Sequence, residues 1–113
     1  MTTDVARVLR AARERIATPE RWTQGEYART DKGDALPADD ILSRRASCWC
    51  AVGALRAAGV WSDDGNQFTR ALADAIGLLD DYCIPDWNDT PGRTHAEVLD
   101  AFSKAIELAE SAP

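Results

Sequence analysis

The chain's one histidine, His95, lies close in sequence to two carboxylates, Asp86 and Asp89, and to one guanidinium, Arg93, in the segment DWNDTPGRTHAEVL that runs from Asp86 to Leu99. Groups of these types can do acid–base work: a carboxylate takes a proton while a cation and the free N–H groups at a helix start hold an anion. A nucleophile is missing. No serine or cysteine flanks His95, and the chain carries no nucleotide, phosphate or metalloprotease motif. The same residues also have a full set of structural jobs. Asn88 and Asp89 suit the backbone of a turn, Pro91 and Gly92 shape it, and Thr94 with Glu97 three residues later spells a capping box. Trp87 is expected to fill core and Arg93 to pair with Asp89, a contact worth about 0–1 kcal/mol when exposed. His95 would be an exposed first-turn residue at the positive end of the helix dipole, which disfavours a protonated imidazole. No residue is therefore assigned as catalytic.

Cys48, Cys50, Cys83 and His95 supply four candidate ligands for zinc. If Cys48 and Cys50 sit on a helix, the turn of about 100° per residue points them about 200° apart, and the spacing lacks the paired ligands of structural zinc sites. Three is also an odd number for a disulfide framework, and Cys48 and Cys50 are too close to bridge. Buried, reduced thiols are expected, with no metal and no cofactor.

Four amphipathic segments must position these residues. Val5, Val8, Leu9, Ala12 and Ile16 recur at helical spacing, and Pro19 stops the run. Residues 47–58, SCWCAVGALRAA, carry only one charge, Arg56, and are read as a central helix covered on nearly all sides and closed by Gly59 as a left-handed residue, with Val60 as the apolar contact of that closure. A third helix follows SDDGN, with Asn66 or an aspartate as cap and Phe68, Leu72, Ala75, Ile76 and Leu79 on its buried stripe. The fourth starts at Thr94 and buries Val98, Leu99, Phe102, Ala105, Ile106 and Ala109. The connection 20–46 is too long to be structureless. A short hairpin turned at Gly33, its second arm kept to an edge by Pro37, and a helical turn starting at Pro37 are both open. Gly53 costs a helix about 1 kcal/mol relative to alanine, which points to a backbone or an indole such as Trp87 packed against it, the alternative being that the missing side chain opens a ligand pocket. The expected fold class is all-α: one globular domain over 1–113, a compact bundle of four main helices around 47–58.

Composition narrows the function. The chain of 113 residues is 45% hydrophobic and 28% charged, which suits one folded domain, and its net charge of -6 repels nucleic acid and anionic lipid. No apolar run approaches the roughly 20 residues of a membrane span. The opening MTTDVARVLRAARERI is unlike a signal peptide, so a cytoplasmic setting is expected.

Three blocks, Trp22-x-Gln24-Gly25-x-Tyr27, CAVGAL from Cys50 to Leu55, and WND-x-PGRT-xx-EVL from Trp87 to Leu99, resemble the domain of unknown function 6197 family, small proteins of bacteria and phages. The resemblance implies a shared, mostly helical fold, no established activity, and a frame made by Trp22, Gln24, Cys50, Gly53, Trp87, Asn88, Asp89, Arg93 and Thr94. Cys48 lies outside that pattern.

The leading functional expectation is a non-enzymatic module that binds a protein partner or a second copy of itself, with Trp49 and Trp61 as aromatic anchors. The alternative is a small-molecule-binding protein or minor enzyme. Its pocket would lie between loop 22–27 and turn 86–95, with Trp22, Gln24, Trp87, Asn88, Asp89 and Arg93 as ligand-binding residues for a small polar ligand. An acidic decoy for a nucleic-acid-binding protein is a third, resting on charge alone.

Overall fold

The computed structural model describes residues 4–59, 67–80 and 83–111. The first apolar repeat forms α1, Asp4–Arg15, which buries Ala6, Leu9 and Ala12. The last forms α5, His95–Ser111, with Val98, Ala101, Phe102 and Ala105 inside. These two helices pack along each other, and Arg10 pairs with Glu110 across their rim. Between them lie α2, Ala51–Ala58, and α3, Gln67–Ala75, which complete the core with Leu55 and Leu72, both 0% exposed. Each such large apolar side chain contributes about 1.5–3 kcal/mol on burial. The fold is mostly helical but not a pure bundle.

The connection 20–46 folds as both open readings allowed. Strands β1, Ala28–Arg29, and β2, Ala35–Leu36, form an antiparallel hairpin turned at Gly33, whose φ of +87° is open to glycine at little cost. A 3-10 turn, Ala38–Asp40, follows Pro37. A third strand, β3, Cys48–Trp49, pairs with β1, so the sheet order is β2-β1-β3 and β2 lies at an edge, as Pro37 requires.

Several expectations are corrected. The central helix starts at Ala51, not Ser47, because Cys48 and Trp49 are taken by the sheet; the helical angle between Cys48 and Cys50 therefore does not apply. Gly59 closes α2 in extended backbone, φ -122°, and is small for another reason: a Cβ there would stand 3.0 Å from Val8 Cγ1 and 3.1 Å from Phe68 Cε2. Val60, Trp61 and the proposed cap in 62–66 lie outside the described residues. Leu79 lies beyond the end of α3 and is 94% exposed. The stretch before α5 is itself a helix, α4, Ile84–Asp89, begun by Pro85 in its first turn and ended as Thr90 takes the extended backbone that precedes a proline.

Gly53 behaves as its sequence context implies, with the backbone of Tyr27, not the Trp87 indole, as the neighbour. A Cβ at Gly53 would lie 2.0 Å from the Tyr27 carbonyl oxygen. That same oxygen accepts from Cys50 N at 3.1 Å, so the loop before β1 lies directly on the first turn of α2.

Candidate functional site

Helix α2 begins with a cysteine where Ser, Thr, Asp or Asn is usual. Cys50 Sγ accepts from Gly53 N at 3.3 Å, and the first N–H of the helix, from Ala51, is met by a residue 37 positions away: Asn88 Oδ1, at 3.1 Å. Asn88 is 0% exposed and its amide is fully used. Its oxygen also accepts from Trp22 Nε1 at 2.8 Å, and its Nδ2 donates to the Thr23 carbonyl at 3.1 Å and to Asp89 Oδ1 at 2.9 Å. Two donors face Oδ1 and two acceptors face Nδ2, which fixes the orientation of the amide. Asp89 Oδ1 takes one more donor, Gly25 N, at 2.8 Å.

The carbonyl end of α4 is met by side chains as well as by the backbone N–H groups of Thr90 and Arg93. Thr90 Oγ1 donates to the Asp86 carbonyl at 2.9 Å, Arg93 Nε to that of Trp87 at 2.9 Å, and Gln24 Nε2 to those of Asn88 at 2.8 Å and Thr90 at 3.3 Å. Trp22, Gln24, Asn88 and Asp89 thus meet in one polar joint, though Asn88 and Asp89 reach remote segments and not the backbone of their own turn. Arg93 and Trp87 face a different side. The guanidinium stacks at 4.3 Å over the half-buried indole and reaches Glu97 at 3.4 Å, where the sequence suggested Asp89.

The profile of the family of unknown function DUF6197 matches residues 1–108. The chain belongs to this family. No curated protein and no solved structure matches it. In this DUF6197 member the three sequence blocks are brought together at the joint: Trp22, Gln24 and Gly25 from the first, Cys50 and Ala51 from the second, Asn88 and Asp89 from the third.

Beside the joint, Gly25, Glu26, Tyr27, Cys50, Pro85 and Asp89 line a cleft of about 120 Å³. The second Asp89 oxygen makes no hydrogen bond among the described residues. The Cys50 thiol is pushed up to about 11 by its burial and, less strongly, by the Asp89 charge. It is a protonated cap at neutral pH and not a nucleophile. Partial desolvation and the Asp80 carboxylate also raise the Cys83 thiol. No three His, Cys, Asp or Glu side chains among the described residues converge as a metal ion would need.

The capping box holds. Glu97 N donates to Thr94 Oγ1 at 3.1 Å, while Thr94 N and Thr94 Oγ1 donate to Glu97 Oε1 at 2.8 and 3.2 Å, and these two Thr94 donors, backbone first, hold the Glu97 carboxyl below its usual range. His95 corrects the sequence reading, being half-buried and not an idle exposed side chain. Its Nε2 lies 2.6 Å from the Ile16 carbonyl, which can only accept, so Nε2 carries a proton and closes the end of α1. Arg29 went unread from sequence. It bonds Thr23 Oγ1 and the carbonyls of Gln24 and Gly33, and nothing in its local sequence marks it as the clamp of that loop.

Proposed function

We propose that the protein is a small non-enzymatic binding module, cytoplasmic in setting, that engages a protein partner through the groove between α3 and α5. The observation that carries this is the Trp87–Arg93 stack. It lines an open groove of about 570 Å³ together with Ile76 and Ala101, with Asp74, Asp100 and Lys104 among its charged lining residues. Tryptophan and arginine are the residues on which interfaces most often depend, and a stacked pair is already ordered before a partner arrives. Trp49 does not serve as the anchor expected of it, because it is 7% exposed and its Nε1 donates to the Ile41 carbonyl at 2.8 Å. Trp61 lies outside the described residues. The acidic balance keeps nucleic acid out of this reading, and no helix among the described residues is long and apolar enough to cross a membrane.

A photo-crosslinking residue placed at Lys104, an exposed groove-lining position, tests the reading in the producing cell. A discrete adduct is expected there, weakened by Asp100→Arg, and none from the same probe at exposed Arg70, whose side chain does not line the groove. Equal adducts from both positions, or none from Lys104, refute it. Light scattering of the purified protein tells whether the partner is a second copy.

The small cleft favours a second reading, a pocket for a small polar ligand, because an unbonded oxygen of Asp89 lies at its wall. Amide shifts confined to Gly25–Tyr27 and Asp89 on titration with small amines, lost in Asp89→Asn, would establish it; no such shifts would remove it.

A further inference from the structure

Most arginines of the described chain are committed. Arg29 bonds three oxygens, Arg13 reaches the Leu99 carbonyl and Ser103, and Arg15 lies 4.9 Å over the Trp49 ring. By contrast, the side chains of Arg21, Lys32, Arg44, Arg45, Arg70 and Lys104 reach no acceptor, carboxylate or ring among the described residues. The first four are not scattered. Lys32, Arg44 and Arg45, with Thr30, Ser47, Asp31 and Asp34, line a cleft of about 320 Å³. Through Asp31 and Ser47 it adjoins a hollow of about 640 Å³ bordered by Arg21, Glu20 and Trp49. Together the two hollows are bordered by four cations and three carboxylates, in a chain whose net charge is -6.

The backbone under these cations is fixed even though their heads are free. Thr30 Oγ1 accepts from Lys32 N at 3.2 Å and Asp34 N at 3.1 Å, which sets the hairpin turn. Ser43 Oγ accepts from Arg45 N at 3.2 Å, and Ser47 N donates to the Arg29 carbonyl at 2.9 Å, which sets the opposite wall. The half-buried Ser47 hydroxyl makes no hydrogen bond among the described residues and lines both hollows.

Guanidinium forks match the oxygens of a phosphate, an ammonium adds a point charge, and a hydroxyl donates once more. The volume is that of a small-molecule site. The overall acidity favours a ligand with one phosphate over a polyanion, whose further charges would meet the negative field of the rest of the surface. We propose that this cleft binds the phosphate group of a small phosphate ester. Arg44 and Arg45 grip its oxygens, Lys32 faces them across the cleft, and Ser47 donates from between the two hollows.

The test is a titration with phenyl phosphate and with inorganic phosphate at constant ionic strength, followed by backbone amide spectra. Saturable shifts confined to residues 30–34 and 44–47 are expected. Half-saturation should rise by about tenfold or more in Arg44→Gln/Arg45→Gln, a loss of about 1.4 kcal/mol, and by less in Lys32→Gln and Ser47→Ala. The single variants on the two walls keep the test decisive if the double variant folds poorly. The proposal falls if there is no saturable shift, if every variant binds as the parent does, or if acetate gives the same shifts. It also falls if a single-stranded oligonucleotide binds where phenyl phosphate does not.

Discussion

At the joint between Trp22–Gly25 and Asn88–Thr90, the buried amide is bonded at all four of its sites, and the carbonyl end of α4 is covered by three side chains. Around Lys32, Arg44 and Arg45 the polar groups are as dense, yet the cations and the Ser47 hydroxyl are without partners among the described residues. The two regions show that polar density does not by itself mark a binding surface. A buried polar group left without a partner costs about 1–3 kcal/mol, so a buried cluster must close on itself, while an exposed one can keep its bonds for something else. Substitutions should therefore be costly in stability at the joint and nearly free at the cleft.

The largest effect is expected at Asn88. Asn88→Ala leaves the Ala51 N–H, the Trp22 indole N–H and the Thr23 carbonyl unpaired, and should cost about 3–5 kcal/mol in urea unfolding. A loss below about 1 kcal/mol would break the comparison. Gly53→Ala comes next. Alanine offers about 1 kcal/mol of helix propensity, but its methyl meets a backbone oxygen that is itself hydrogen-bonded, and a net loss of about 2–3 kcal/mol is expected. A raised melting temperature would show that loop 22–27 is free to move off α2. Thr94→Ala removes a cap whose partners face solvent and should cost about 1 kcal/mol by the same measurement.

Cys50 sharpens the contrast through pH. Its folded thiol titrates at about 11 against an ordinary 9.0, so an unfolded chain loses this proton first as pH rises. The stabilisation is whole below pH 9 and is lost as pH climbs from 9 through 11, a decline of about 1 kcal/mol between pH 8 and 10. Cys50→Ser keeps a capping oxygen, and its stability should fall less over that interval. Smallest of all, Arg44→Gln/Arg45→Gln should leave unfolding within about 0.5 kcal/mol of the parent; a large loss would mean that the cleft is scaffold after all.

Sequence periodicity sufficed for α1 and α5, whose apolar residues recur over three turns or more and whose ends are marked by Pro19 and the Thr94–Glu97 box. Gly53 was legible too, since a helical glycine needs a reason. The extent of α2 was not, because Cys48 and Trp49 are as acceptable in a strand as in a helix, and the pairing that decides it is with β1, some twenty residues earlier. The joint was legible only as a set of residue types. That Asn88 serves α2 and Trp22, and not its own turn, depends on bonds spanning 37 and 66 positions, which no local rule reaches.

Asn88 also bears on how the molecule is made. The donors it satisfies belong to residues synthesised long before it, Trp22 and Ala51, and its neighbour Asp89 completes Gly25 in the same way. A nascent chain that has reached only α3 holds all three N–H groups with no partner yet made, and Tyr27 is laid on Gly53 without the clasp that later holds it there. Thr23 N and the Tyr27 carbonyl can already pair with Trp49 and Cys50 at that stage, but the clasp on loop 22–27 closes only once α4 has left the ribosome, so the last quarter of the chain completes the ordering of the first.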